Sequence, residues 1–355
     1  MTMQYKPAVF AVSNNYQILV PVTAPSLMWV RIGDRCYYDH ANGVLRSKCK
    51  VHRMTVPAAV LDQAGEYTIC ERRIPHRKAY CSKPDPVVET TFAFFSVPLD
   101  NPRAYMIADA HNRVREPISA ARTFGAFDFL IFNGDVPENT DSIRSMMTVF
   151  RINDVLTGGT KPLLFTRGNH ELRGKYAEDY TEYIPSENGK FFYPFRLGSV
   201  SGILLDCGED KMDDHPEYGG TICCHAFRKE QTRFLESCCP DTQAQTRIVI
   251  AHSPFTMRFG DPFDIEKDTY TYWSQLLQKN VRPHSMLCGH MHTMKISAQG
   301  SDSDYLGHPC TVIVGSKPAN GYFAGTGFTF RRDEIEVVFT DSDGKTLLSQ
   351  TIPKT

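Results

Sequence analysis

The fold is decided by residues 103–135, "RAYMIADAHNRVREPISAARTFGAFDFLIFNGD". "RAYMIAD" is an apolar run that stops at Asp109-Ala110-His111. "REPISAARTF" spaces its apolar residues as a helix does, and "FDFLIFN" is a second apolar run that stops at Gly134-Asp135. A strand, a helix and a strand in so few residues make a crossover unit, and such units build parallel sheets. The pattern continues through "NTDSIRSMMTVFRINDVL" (139–156), read as one helix, and "KPLLF" (161–165), a third strand. That strand breaks at Gly168 and presents Asn169, His170 and Glu171 in a row.

Further apolar runs follow: "SGILLD" (201–206), "TRIVIAH" (246–252), "HSMLCGH" (284–290), "CTVIVGS" (310–316) and "EIEVVFT" (334–340). "AFRKEQTRFLESCC" (226–239) reads as a helix between the first two. These are too many strands for one small sheet, so two sheets packed face to face are expected. The front of the chain differs. "AVFAV" (8–12), "YQILVPV" (16–22), "SLMWVRI" (26–32), "KVHRMTV" (50–56), "EYTICERRI" (66–74) and "VVETTFAFFSV" (87–97) are short β-type runs punctuated by Gly and Asp. They suggest a small antiparallel sandwich over residues 1–97, joined by "VPLDNP" (97–102) to an α/β domain over 98–355. The sandwich holds none of the chemical motifs, so a chain starting near Val97 is expected to keep measurable activity on a small ester if it stays soluble, loss of solubility on exposing an apolar face being the main risk.

Composition sets limits. The 355 residues are 41% hydrophobic and 22% charged, with a formal net charge of −1. That balance is typical of a soluble globular chain and offers no field to draw nucleic acid or an anionic membrane. No segment approaches a membrane span. Read from Met1, the start lacks the features of a signal peptide, which places the protein in the cytoplasm. The 11 cysteines include the doublets Cys223-Cys224 and Cys238-Cys239. Adjacent cysteines chelate one tetrahedral ion awkwardly, so free thiols in a reducing compartment are expected rather than a structural zinc site.

Residues able to hold a metal recur where the strands stop: Asp109 and His111, Asp135, Asn169, His252, and His290 with His292. In open α/β sheets the carboxyl ends of the strands face the ligand crevice. Any one of these short motifs is common by chance. Five of them, each after an apolar run, are not. Seven ligands with one shared carboxylate give each of two ions four protein ligands.

The series "DAH", "NGD", "GNHE", "AHSP" and "GHMH", in that order, resembles the calcineurin-like metallophosphoesterases over most of residues 103–340. The resemblance implies a four-layer α/β/β/α sandwich with a binuclear metal centre, preceded here by the fibronectin- or immunoglobulin-like sandwich. Asp109, His111, Asp135 and His292 are implied for the first ion, and Asp135, Asn169, His252 and His290 for the second, with Asp135 as the bridge. It implies a metal-bridging hydroxide as nucleophile and His170 as general acid to the leaving group, with Glu171 supporting from behind. Mixed N and O ligands without thiolate suit Mn, Fe or Zn. Two such ions neutralise the phosphate oxygens and acidify water.

The front sandwich and "LLDCGEDKMDDHPEYGG" (204–220) are similar to the layout of purple acid phosphatases. That family carries a tyrosine three residues after the bridging aspartate. Here the position is Glu138, so no coloured Fe(III)–phenolate site is expected. The arginine that clamps phosphate in protein serine/threonine phosphatases also lacks its "GDxVDRG" context, which leaves Arg113 and Arg173 as candidate substrate-binding residues. The substrate is expected to be a phosphoester, mono- or diester, chosen by the loops 173–190, 208–224 and 254–270. The other expectation from this sequence is a catalytically inactive scaffold that binds a partner. Completeness of the ligands and of His170 favours the enzyme.

Overall fold

The computed structural model describes residues 1–354. Two β-sheets lie face to face. In the first, the strands Arg103–Ile107, Phe129–Asn133 and Pro162–Thr166 run parallel. In the second, Val200–Leu205, Thr246–Ala251, Ser285–Cys288 and Thr311–Gly315 run parallel. Alternation along the second set shows how the layers stack. Leu204, Ile248, Ile250, Leu287 and Ile313 join the core shared with the first sheet. Their neighbours Leu205, Val249, Ala251, Cys288 and Val312 join a second core with Leu235, Trp273 and Leu276, which lie on the helices Cys224–Ser237 and Lys267–Leu276. The helices Arg115–Phe124 and Thr148–Leu156 pack on the first sheet. The result is the expected α/β/β/α order.

Local chemistry fixes the elements. Arg115–Phe124 has Glu116 in its first turn and Arg122 in its last, both favourable to the helix dipole, and ends at Gly125 with φ 89°. The stretch 139–156 is two helices rather than one, Ile143–Met146 and Thr148–Leu156. Ser142 starts the first by accepting the Ser145 N–H at 3.1 Å.

The front of the chain is largely strand but does not keep to itself. Ala8–Val12 pairs in parallel with Pro162–Thr166, Asn15–Pro21 pairs with Ala8–Val12, and Val51–Pro57 pairs with Asn15–Pro21. These three strands extend the first sheet to ten strands. Only Ser26–Ile32, Arg35–Tyr38, Glu66–Arg73 and Val88–Ala93 form a separate four-stranded sheet. The expected boundary at residues 97/98 therefore cuts through a hydrogen-bonded sheet. The reason lies in the side chains. All five residues of "AVFAV" are buried, as in an interior parallel strand, whereas "SLMWVRI" alternates buried and half-buried residues, as in a one-sided sheet.

Candidate metal centre

All seven predicted ligands stand on turns just past strand ends, at the seam between the two sheets. Asp109 and His111 follow Arg103–Ile107, Asp135 follows Phe129–Asn133, and Asn169 follows Pro162–Thr166. His252 follows Thr246–Ala251, and His290 and His292 follow Ser285–Cys288. Five of them, Asp109, His111, Asp135, His290 and His292, have φ between 45° and 69°. Left-handed backbone is unfavourable for residues with a Cβ, and it persists where surrounding structure over-determines it. Here it turns successive side chains toward one point. Asp109 N–H donates to the Gly134 carbonyl and His111 N–H to the Asp135 carbonyl, each at 3.0 Å, which locks the first two turns together. Gly168 has no room for a side chain: a Cβ there would overlap Asp135 Oδ1.

The side chains converge in overlapping groups. Asp109, His111 and His292 form one, and Asp135, His252 and His290 another; within each group the ligand atoms lie within 4.8 Å of one another. His111, Asp135 and His170 form a third, overlapping the other two. His111 Nε2 lies 3.0 Å from His292 Nε2, and His292 Nε2 3.5 Å from Asp109 Oδ1. His252 Nε2 lies 3.1 Å from Asp135 Oδ2 and 3.7 Å from Asp109 Oδ1. Asn169 Oδ1 is 3.1 Å from His290 Nδ1.

Electrostatics fit a cation. Asp109 and Asp135 are buried, and among the described residues their close positive partners are imidazoles rather than lysine or arginine. Burial disfavours a charged His252, yet Asp135 and Asp109 beside it push its pKa up to about 10. Burial also opposes the charge on Asp135, but the imidazoles of His252, His170 and His111 hold it well below the usual carboxylate range. His252 donates from Nδ1 to the Asn133 carbonyl at 2.6 Å, while its buried Nε2 has no hydrogen-bond partner. A tautomer fixed on one side, with an orphaned nitrogen aimed at two carboxylates, is what a metal ligand requires. Burial and the His252 charge push His290 down to about 4, leaving it neutral and able to ligate.

The supporting shell is dense. Glu171 accepts from the backbone N–H groups of Asp135 (2.9 Å), Val136 (3.0 Å) and Gly168 (2.9 Å), which holds the Asp135 turn against the Asn169 turn. Burial and the neighbouring Asp135 push Glu171 up to about 8. Asp109 accepts from the His290 backbone N–H at 2.9 Å and from the Ser316 hydroxyl, so the first sheet is tied to the second through a ligand.

His170 points into the centre from its edge. Its Nδ1 donates to the Glu138 carbonyl at 2.7 Å, and its Nε2 lies 3.9 Å from Asp135 Oδ2. Glu138, the residue that departs from the purple acid phosphatase pattern, also sets its carboxylate 3.3 Å from His111 Nδ1, without hydrogen-bond alignment. The two arginines are held elsewhere. Arg173 makes a fork to Glu209 at 2.8 and 2.7 Å and lies 3.4 Å from Asp210. Arg113 donates to the carbonyls of Ala319 (3.2 Å) and Ala110 (3.4 Å). Arg173 thus spends its fork on carboxylates, whereas among the described residues Arg113 donates only from Nε and Nη1, and only to backbone carbonyls.

Sequence reading places Glu209 and Asp210 in a substrate-selecting loop, 208–224, without singling out either residue. Both follow the strand end at Leu205, in "LLDCGED", and Asp210 Oδ2 lies 3.9 Å from His290 Nε2. An acidic pair after a strand end was the available signal. It lacked the histidine that marked the other turns. A narrow cleft runs from His252 and His290 past Asp210 to Phe259, Phe263 and Tyr305.

Two face-to-face sheets with Asp, His and Asn gathered at their strand ends define a metallophosphoesterase scaffold. The chain belongs to the calcineurin-like phosphoesterase family, which it matches over residues 102–294. Among solved structures it is similar to purple acid phosphatase from yellow lupin (Lupinus luteus) seeds, at 13% identity and a TM-score of 0.60, covering 98% of this chain and 74% of that one. Vacuolar protein sorting 29 from Cryptosporidium parvum aligns at 12% identity and a TM-score of 0.39, covering 72% of this chain and 100% of that one. Curated protein sequences offer no match. No helix among the described residues is long and apolar enough to cross a membrane.

Proposed function

We propose that the chain is a binuclear-metal hydrolase of phosphoesters, acting on mono- or diesters. The observation that carries this reading is the complete donor set around Asp135, with the orphaned Nε2 of His252 at its centre. Asp109, His111, Asp135 and His292 would hold one ion; Asp135, Asn169, His252 and His290 would hold the other. Mn, Fe or Zn suits these donors. When bound, such ions supply charge neutralisation for phosphate and a low-pKa water.

The chain's own residues do the rest. Asp135 serves both positions, and Glu171 fixes its turn through three backbone N–H groups. His170, oriented by the Glu138 carbonyl at Nδ1, presents Nε2 toward the reacting face. A protonated Nε2 there delivers a proton to the departing oxygen, the general-acid role. With Arg173 forked onto Glu209, phosphate orientation falls to the metal positions, to His170 and to Arg113, whose guanidinium meets backbone carbonyls rather than carboxylates. The eleven free cysteines support a reducing, cytoplasmic setting.

The test is turnover of p-nitrophenyl phosphate and of its bis-ester by chelated protein reloaded with Mn²⁺. Metal-dependent hydrolysis of either is expected. A folded chain that binds two ions and turns over neither, nor any member of a phosphate-compound screen, is an inactive scaffold, and the proposal fails.

A further inference from the structure

A second donor cluster lies in the front of the chain, far in sequence from the strand-end motifs. Asp39, Cys49 and His52 place one ligand atom each within 4.8 Å of the others. Asp39 and His52 are buried, and Cys49 is half-buried. Cys49 Sγ lies 3.4 Å from His52 Nδ1 and 3.7 Å from Asp39 Oδ2, and those two atoms are 2.6 Å apart. Zinc bonds of about 2.3 Å to sulfur and about 2.0–2.2 Å to nitrogen and oxygen set tetrahedral edges close to the two sulfur distances. The nitrogen–oxygen edge must open by some tenths of an ångström. The three donors already face one another, so no change of backbone path is needed.

The surroundings are arranged for a bound cation. Ser26 Oγ is 3.2 Å from His52 Nε2 and can accept its proton, so that an ion taking the place of the Nδ1–H hydrogen bond to Asp39 would meet a free Nδ1 lone pair. Asp39 divides its oxygens. Oδ1 lies 3.7 Å from Arg46, and Oδ2 faces the histidine and the thiol. A divalent ion with one carboxylate, one thiolate and a neutral imidazole closes on zero net charge, the balance a buried site needs. Cys49 also lines a cleft of about 480 Å³, which gives water a route to the fourth position.

We propose that Asp39, Cys49 and His52 form a third metal site of the chain, taking Zn²⁺ with water as its fourth ligand. Thiolate with imidazole selects Zn²⁺ over Mn²⁺ or Mg²⁺. Its three protein ligands tie together the segment 39–52, whose Arg46 pairs with Glu182. The neighbouring Arg53 donates to the Thr181 and Ile184 carbonyls. The ion thereby clamps the N-terminal strands onto the loop that follows His170. The site is independent of the phosphoesterase reading.

Cobalt substitution tests it, because the seven strand-end ligands include no sulfur. The full chain, chelated and reloaded with Co²⁺, is expected to show a near-ultraviolet thiolate-to-cobalt charge-transfer band. Cys49→Ser removes that band and one metal ion per chain, while activity on p-nitrophenyl phosphate stays near wild type. In Asp135→Asn, which disables the shared ligand of the strand-end centre, the band remains. A Co²⁺-loaded wild-type chain with no band overturns the site, and so does a band that survives Cys49→Ser. Should Cys49→Ser not fold, alkylation of the wild type decides. Zn²⁺ is expected to protect Cys49, identified by peptide mass, and equal labelling with and without Zn²⁺ overturns the proposal.

Discussion

The two sheets bring different chemistry to one seam. The first sheet contributes the oxygen donors Asp109, Asp135 and Asn169 with a single imidazole, His111; the second contributes only imidazoles, His252, His290 and His292. Negative charge is thus concentrated on one side, on buried carboxylates that repel each other, and its relief comes from the other. Without a metal, His252 supplies that relief by holding a proton. The docking of the sheets and the loading of the centre are therefore coupled. A metal-binding domain is commonly stabilised by its ion, because the folded chain alone presents the site.

The comparison breaks most completely if the first sheet is cut. A chain starting near Val97 loses Ala8–Val12 from the side of Pro162–Thr166 and leaves an interior edge bare. Each buried Val or Phe removed forfeits about 1.5–3 kcal/mol, which a marginally stable fold does not survive. Insoluble or unfolded protein is expected, so the condition of solubility on which the sequence-based expectation of activity rests should fail. Circular dichroism and gel filtration of the truncated chain check it.

Asp135→Asn strikes the ligand proposed to be common to both positions. It should lower turnover by about a thousand-fold or more, as losses at a unit-like centre do, and reduce strand-end metal toward zero. Full strand-end metal content by elemental analysis would refute the shared role. His170→Ala separates chemistry from binding. Metal content should hold, while hydrolysis of an alkyl phosphate falls by about 10²–10⁴ and that of p-nitrophenyl phosphate far less, since nitrophenolate leaves without a proton. An equal loss across a leaving-group series would mean that His170 orients substrate instead.

Glu171→Gln keeps the shape of the turn but weakens acceptance from three backbone N–H groups. Metal affinity should drop about 10–100-fold, measured by competition with a chelating dye. A change of pH, with no substitution at all, sharpens the contrast between the sheets directly. His252, raised to about 10 in the metal-free chain, binds a proton that the ion must displace. Metal affinity should therefore rise with pH from 6 to 9, roughly tenfold per unit for each proton displaced, and fall on acidification. His252→Ala should flatten the slope along with the affinity. A steep slope persisting in that variant would place the displaced proton elsewhere.

The strand-end centre was legible in the sequence because its information is local. Each candidate ligand follows an apolar run within four residues, and the turn chemistry of "NGD" and "GNH" is written in consecutive letters. Strand periodicity and breaker residues act over less than ten positions, so the order of motifs carried the layered fold with them. The partners of single long side chains were not legible. Arg173 could have faced substrate; it forks onto Glu209, 36 residues away in sequence.

The destination of the first three strands was likewise a tertiary matter. "AVFAV" announced only that both of its faces would be buried. Which strand it would lie beside depended on the open edge of Pro162–Thr166, more than 140 residues downstream. Asp39, Cys49 and His52 meet for the same reason, across two strands and a loop whose folding no local pattern specifies. The sequence by itself determined which residues stand at strand ends, since backbone sterics and apolar periodicity act on neighbours. The tertiary structure decided which edges pair and which charges meet, since these depend on surfaces that exist only once the sheets have formed.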